Sequence, residues 1–140
     1  MRVVFLEPGK EAYVDEIDSS LEAMEEAVGG FIEPCYGFTK DEGLCIIGSE
    51  DAKKRDDWKI TRVLCDDDGA IYDIVAGRAF VCAMDDDGKF SGLNDDQIET
   101  VMSYYQYPET LHIMPSGILI RTHLESEMGP EFEMEEMELD

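Results

Sequence analysis

Basic residues are scarce. Eleven Lys and Arg stand against 34 Asp and Glu in 140 residues, leaving a net charge of −23. Nucleic acid phosphates and anionic membranes carry the same sign, so direct binding to either is disfavoured and a basic partner is favoured. Long apolar runs are missing as well, and no stretch approaches the ~20 residues that cross a bilayer. The segment Met1 to Glu7 lacks the basic segment and the long apolar run of a secretory signal. The expectation is a soluble, cytoplasmic protein. Histidine is nearly absent: His112 and His123 are the only two, eleven residues apart near Glu109, Glu125 and Glu127. A His–carboxylate pair is chemically competent, but two histidines against a generally acidic background are the plainer account. No Ser, Cys or Thr stands in a nucleophile motif, and Gly9-Lys10 and Gly29-Gly30 do not form GxxxxGK[ST]. The chain is expected to be no enzyme, with no catalytic residue and no cofactor.

The four cysteines, Cys35, Cys45, Cys65 and Cys82, contain no CxxC pair. Tight zinc sites usually show paired spacing, so no metal is expected. Cys45, Cys65 and Cys82 adjoin Ile, Val, Leu or Phe and read as small buried hydrophobes of a reducing compartment.

What is present suffices for one domain. The apolar content is 44% and the aromatic content 9%, which supplies a core at this length. Arg2 to Leu6 reads as a strand, Glu7-Pro8-Gly9 as a turn, and Lys10 to Ile17 as a returning strand. Ser19 and Glu22 fit capping-box spacing, with Leu21, Met24 and Val28 on the apolar face of a helix that Gly29-Gly30 ends. Phe31-Ile32-Glu33 starts a strand that Pro34 interrupts. Gly43 to Ile47, Trp58 to Leu64, Ile71 to Val75 and Gly77 to Met84 are further extended segments. Ser49 to Trp58 reads as a loop or a single helical turn. Asn94 and Gln97 cap a second helix whose stripe is Ile98, Val101, Met102 and Tyr105. Leu111 to Met114 and Gly117 to Thr122 form a late hairpin. The expected fold is α+β: a mostly antiparallel sheet with two short amphipathic helices. The domain spans residues 1–124, and an acidic, flexible tail spans 125–140.

Two Asp-Asp-Asp-Gly runs, Asp66-Asp67-Asp68-Gly69 and Asp85-Asp86-Asp87-Gly88, invite a calcium reading. An EF-hand with Gly69 at position 6 would put Leu64 at position 1 and Val75 at 12. With Gly88 at 6, those positions are Ala83 and Asn94. Both lack the required oxygen ligands. Asp-Gly as a hairpin turn is the simpler account. The Tyr104 to Tyr107 cluster lacks the basic neighbours of a base-stacking platform, which leaves core packing or a partner contact.

Glu7-Pro8-Gly9-Lys10, Val28-Gly29-Gly30-Phe31-Ile32-Glu33, Asp68 to Gly77 (DGAIYDIVAG) and the Leu93 to Val101 helix resemble a family of small uncharacterised domains. The resemblance spans roughly residues 1–105. It implies a setting in phages, plasmids and conjugative elements, often near antirestriction genes, and so a bacterial host cytoplasm. It implies no catalytic residues.

The charge excess is spread along the chain: without the eight tail acids, residues 1–124 still carry −15. Together with the mobile-element resemblance, this leads to an expectation of a non-enzymatic counter-defence protein. It would inhibit a basic, nucleic-acid-binding host factor, such as a restriction or CRISPR effector nuclease, by presenting carboxylates as phosphates. The candidate contacts are Asp66, Asp67, Asp68, Asp85, Asp86, Asp87, Asp95 and Asp96, the tyrosines Tyr104 and Tyr105, and the tail glutamates Glu133, Glu135 and Glu136. The tail methionines and Phe132 add adaptable apolar anchors. The alternative is an acidic interaction module of mobile-element regulation or DNA processing that does not mimic nucleic acid.

Overall fold

Strand-forming residues recur from the first turn of the chain, and antiparallel pairing organises them. The computed structural model describes residues 1–35, 43–54, 59–66, 68 and 70–122, with backbone alone at 110, 112–114 and 117–122. The elements run β1 (Arg2–Leu6), β2 (Tyr13–Glu16), α1 (Leu21–Val28), β3 (Ile32–Cys35), β4 (Leu44–Ser49) and a single 3-10 turn (Ala52–Lys54). They continue with β5 (Ile60–Cys65), β6 (Ile71–Ala76), β7 (Ala79–Met84), β8 (Phe90–Ser91), α2 (Asp95–Tyr105), β9 (Glu109–Met114) and β10 (Gly117–Thr122). The main sheet has the order β2-β1-β7-β4-β3, and β8 pairs with the end of β7. Two further hairpins, β5–β6 and β9–β10, form small sheets of their own. Every pairing is antiparallel, so the fold is the α+β class that the sequence implies.

The three central strands are buried on both faces, which is why they read as continuous apolar runs. Period-two alternation divides them. Val3, Phe5, Cys45, Ile47, Phe80 and Cys82 meet Met24, Ala27 and Val28 of α1. Val4, Leu6, Leu44, Ile46, Ala79 and Val81 meet α2 and the β5–β6 hairpin through Val101, Tyr105, Leu64 and Val75. The sheet is therefore the middle of three layers.

Both outer strands of this sheet are blunted. On β2, the Glu16 amide donates to the Asp15 carboxylate at 2.8 Å. On β3, the Phe31 carbonyl accepts the Glu50 amide. Alternation then puts Pro34 on the outward side, where its missing N–H breaks nothing. Pro34 thus lies inside the strand and does not interrupt it.

The helices differ from expectation in one respect. Ser20, not Ser19, caps α1, accepting the Ala23 amide at 3.1 Å. Met24, Ala27 and Val28 form the buried stripe, and Leu21, at the first helical position, stays 57% exposed. Gly29 closes the helix at φ 76°. Asn94 and Gln97 make the expected capping box on α2.

The small β5–β6 sheet is tied down by Arg62, which is wholly buried. Its guanidinium donates to the carbonyls of Tyr105 (2.9 Å), Thr61 (2.6 Å), Lys10 (3.1 Å), Glu7 (3.4 Å) and Gln106 (3.5 Å). Two of these carbonyls end α2, where a cation also meets the negative pole of the helix dipole. The Ala12 amide caps the Gln106 carbonyl at 2.7 Å. Burial pulls the Arg62 pKa down to about 10, opposed by the Glu109 carboxylate and Tyr105, so the group stays charged at neutral pH.

At the other end of β1, Gly92 passes the start of the chain. A Cβ there would lie 2.9 Å from the Arg2 backbone nitrogen. Gly92→Ala should therefore cost about 2 kcal/mol by forcing backbone apart. Urea unfolding reads this directly, and an unchanged midpoint would show that the junction yields freely.

Candidate partner-binding surface

The register of the main sheet sorts its charges. Leu6 pairs with Ala79, Arg2 pairs with Glu16, and Leu44 pairs with Ala83. The start of β1, the ends of β2 and β7, and the start of β4 therefore share one end of the sheet. The Leu93 amide bonds the Arg2 carbonyl at 2.8 Å, which brings the start of α2 to the same place. That end carries Glu16, Asp18, Asp85, Asp86, Asp87, Asp95 and Asp96, all exposed. Its side-chain cations among the described residues are Arg2 and Lys89, and Arg2 is held by Asp95 at 3.0 Å. The opposite end holds Lys10, Lys59, Arg62 and Arg78: Lys59 bonds Gly77, and Arg62 bonds Lys10 and Glu7. That end also carries Glu7, Glu11, Glu50 and Asp51, so its charges are mixed where those of the first end are mostly acidic.

The sequence reads the two Asp-rich turns alike, and they are built alike. Asp66 accepts the amides of Asp68 and Ala70 through Oδ1, both at 2.9 Å. Asp85 accepts those of Asp87 and Lys89, at 3.0 and 2.8 Å. In each case the first aspartate also closes the hairpin with its own amide, to Ala70 or Lys89. Asp66 and Asp85 are therefore turn-forming residues. Gly88 alone supplies the positive φ in its turn, at 81°, and no described non-glycine residue has positive φ. The outward charges are Asp68, Asp86, Asp87 and Asp96.

The candidates do not form one surface. Asp85 to Asp87, Asp95 and Asp96 share the acidic end. Asp66 and Asp68 belong to the small sheet, where the charge of Asp66 acts on Cys65 and Tyr72. Asp67, Glu133, Glu135 and Glu136 lie outside the described residues, as does the whole tail. Tyr104 is 49% exposed on α2. Tyr105 corrects the expectation of a partner contact: it is 7% exposed and packs in the core with its ring 5.8 Å from that of Tyr104. The reason is helical spacing, since Val101 and Tyr105 are i and i+4 on the buried stripe. Tyr72, 52% exposed on β6, is a surface aromatic that the sequence reading missed. Its place in an alternating strand, flanked by Ile71 and Asp73, was the available signal.

Burial pushes the Cys35 thiol up to about 11 and Cys45 and Cys82 to about 12. Cys65 is also raised, by desolvation and then by Glu109 and Asp66. Its exposed position at the end of β5 corrects the expectation of a buried residue. Among the described residues no group of three or more His, Cys, Asp or Glu is arranged to hold a metal ion. The His112 side chain and His123 lie outside the description. No helix among the described residues is long and apolar enough to cross a membrane.

Comparison with curated proteins and with solved structures gives no match. A family match covers residues 1–106, which takes in the main sheet, both helices and the β5–β6 hairpin and leaves β9 and β10 beyond it. With about three quarters of its length so matched, the chain belongs to the family of DUF3846, a domain of unknown function.

Proposed function

We propose that this protein is a non-enzymatic counter-defence factor of a phage or mobile element. It binds a basic, nucleic-acid-binding host protein, a restriction or CRISPR effector nuclease, at the channel meant for nucleic acid. The observation that carries the reading is the polarity of the fold. One end of the sheet gathers exposed carboxylates, with Lys89 and the Asp95-paired Arg2 as its side-chain cations among the described residues, while the other end mixes Lys10, Lys59, Arg62 and Arg78 with acids. A charge density of one sign, displayed on a rigid sheet end, attracts a basic channel from a distance and releases its counterions as DNA does.

The test is inhibition with competition. Purified protein is added to the DNA-cleaving factor that it captures from a host lysate. Cleavage should fall, and excess non-cleavable duplex should displace the protein. A captured factor that binds protein and duplex together, without competition, would refute mimicry.

A second reading has its own observation. Tyr72 and Tyr104 are both about half exposed, and an interface built on them would make an acidic interaction module without mimicry. Such an interface would lose little affinity with salt, which separates it from the first reading.

A further inference from the structure

A groove runs over β1 between α1 and β2, on the face of the sheet away from α2. Phe5 lies in its floor, Ile17 lines one bank, and Ala23 and Ala27 line the other. Its volume is about 240 Å³, under the roughly 300 Å³ at which small-molecule sites begin. The size suits one long side chain better than a cofactor. The alanines decide this shape: helix α1 presents methyl groups where longer residues would close the groove.

The groove is charged at its rims. Asp15 stands on the β2 bank and Glu26 on the α1 bank, both exposed. Among the described residues neither carboxylate forms an ion pair; Asp15 gives one oxygen to the Glu16 amide and keeps the other. Arg78 closes the far end, its guanidinium 4.2 Å from the centre of the Phe5 ring and 3.9 Å from the Glu7 carboxylate. The cation at that end is thus already matched by Glu7, and the open length is apolar below and anionic above. The end near Ile17 meets the acidic end of the sheet, since the Ile17 amide bonds the Met1 carbonyl at 3.0 Å.

We infer that this groove is the anchor site for a basic side chain of the partner, an arginine in particular. Its aliphatic stem lies along Ile17, Ala23 and Ala27, and its planar fork reaches carboxylates on both banks. This rests on the proposed function in taking the partner as basic, and it adds the place where that partner is gripped. Electrostatic attraction at the sheet end sets the approach, and the groove sets the register.

The probe is a tetra-arginine amide peptide, titrated at low salt into isotope-labelled protein and followed by backbone amide shifts. The largest shifts are expected at Ile17, Ala23 and Ala27. Asp15→Asn with Glu26→Gln should weaken binding about fivefold, as removal of two exposed ion pairs implies. Asp86→Asn with Asp87→Asn should change it less than about twofold. Ala23→Leu fills the groove without changing charge and should remove the groove shifts. Because an enlarged residue can disturb packing, the carboxylate pair is the deciding variant, with a well-dispersed spectrum as its control. Shifts confined to Asp85–Asp87 and Asp95–Asp96, or unchanged affinity in the Asp15/Glu26 variant, would overturn the groove and leave the proposed function standing. No binding at low salt would overturn both.

Discussion

Arg62→Ala is expected to lower the unfolding free energy by about 4 kcal/mol or more, a large part of the stability of a small domain. Five backbone carbonyls converge on one guanidinium, and three of the bonds are 3.1 Å or shorter. Backbone acceptors cannot be mutated away: the Gln106 and Glu7 carbonyls keep the Ala12 and Lys10 amides, but the short bonds to the Tyr105, Thr61 and Lys10 carbonyls are lost. Each such loss costs about 1–3 kcal/mol, and the vacated volume adds to it. The Glu109 carboxylate makes the loss worse. Burial raises its pKa, opposed by the Val63 amide at 3.1 Å and by Arg62. Without Arg62, it loses its counter-charge. Arg62→Lys keeps a charge but not the five-donor fork, and should cost about 2 kcal/mol. Urea unfolding of both variants checks the order. A loss under about 1 kcal/mol for Arg62→Ala would mean that water replaces the guanidinium.

The second large effect is on binding. Asp86→Lys, Asp87→Lys and Asp96→Asn together should weaken capture of the basic partner by on the order of a hundredfold at low salt. These three are chosen because their side chains form no hydrogen bond or ion pair among the described residues. Reversing Asp85 as well would confound the result, since its carboxylate accepts two amides of its own turn. The loss should shrink as salt screens the original attraction. A matched change at Asp68 on the small sheet should cost much less. Equal losses at both places would mean that net charge, and not the polar arrangement, governs binding.

Much of this architecture is legible in the sequence because its signals are local. The runs Arg2–Leu6 and Ala79–Met84, the capping box at Asn94 and the glycine after Val28 each state their own structure. Arg62 does not. In Ile60–Cys65 it looks like the polar position of a half-exposed strand. Its burial depends on carbonyls from Glu7, Lys10, Tyr105 and Gln106, which are distant in sequence. The same holds for the groove. Asp15, Ala23, Glu26 and Arg78 are unremarkable one by one, and only the packing of α1 across β1 and β2 assembles them. The exposure of Leu21 shows the limit of periodicity in an eight-residue helix: it shares the spacing of Met24 and Val28 but stands at the first helical position and is 57% exposed. The acidic turns were legible as turns, but their assignment to different sheets follows from strand order alone.

The most direct test of the central claim is the salt dependence of affinity for the captured DNA-binding partner, measured from about 50 to about 200 mM monovalent salt. Nucleic-acid mimicry predicts a steep linear fall of log affinity against log salt, as for the partner's own duplex, and a shallower fall for the Asp86/Asp87/Asp96 variant. An affinity that stays level across that range, with the variant binding as well as the parent, would contradict it.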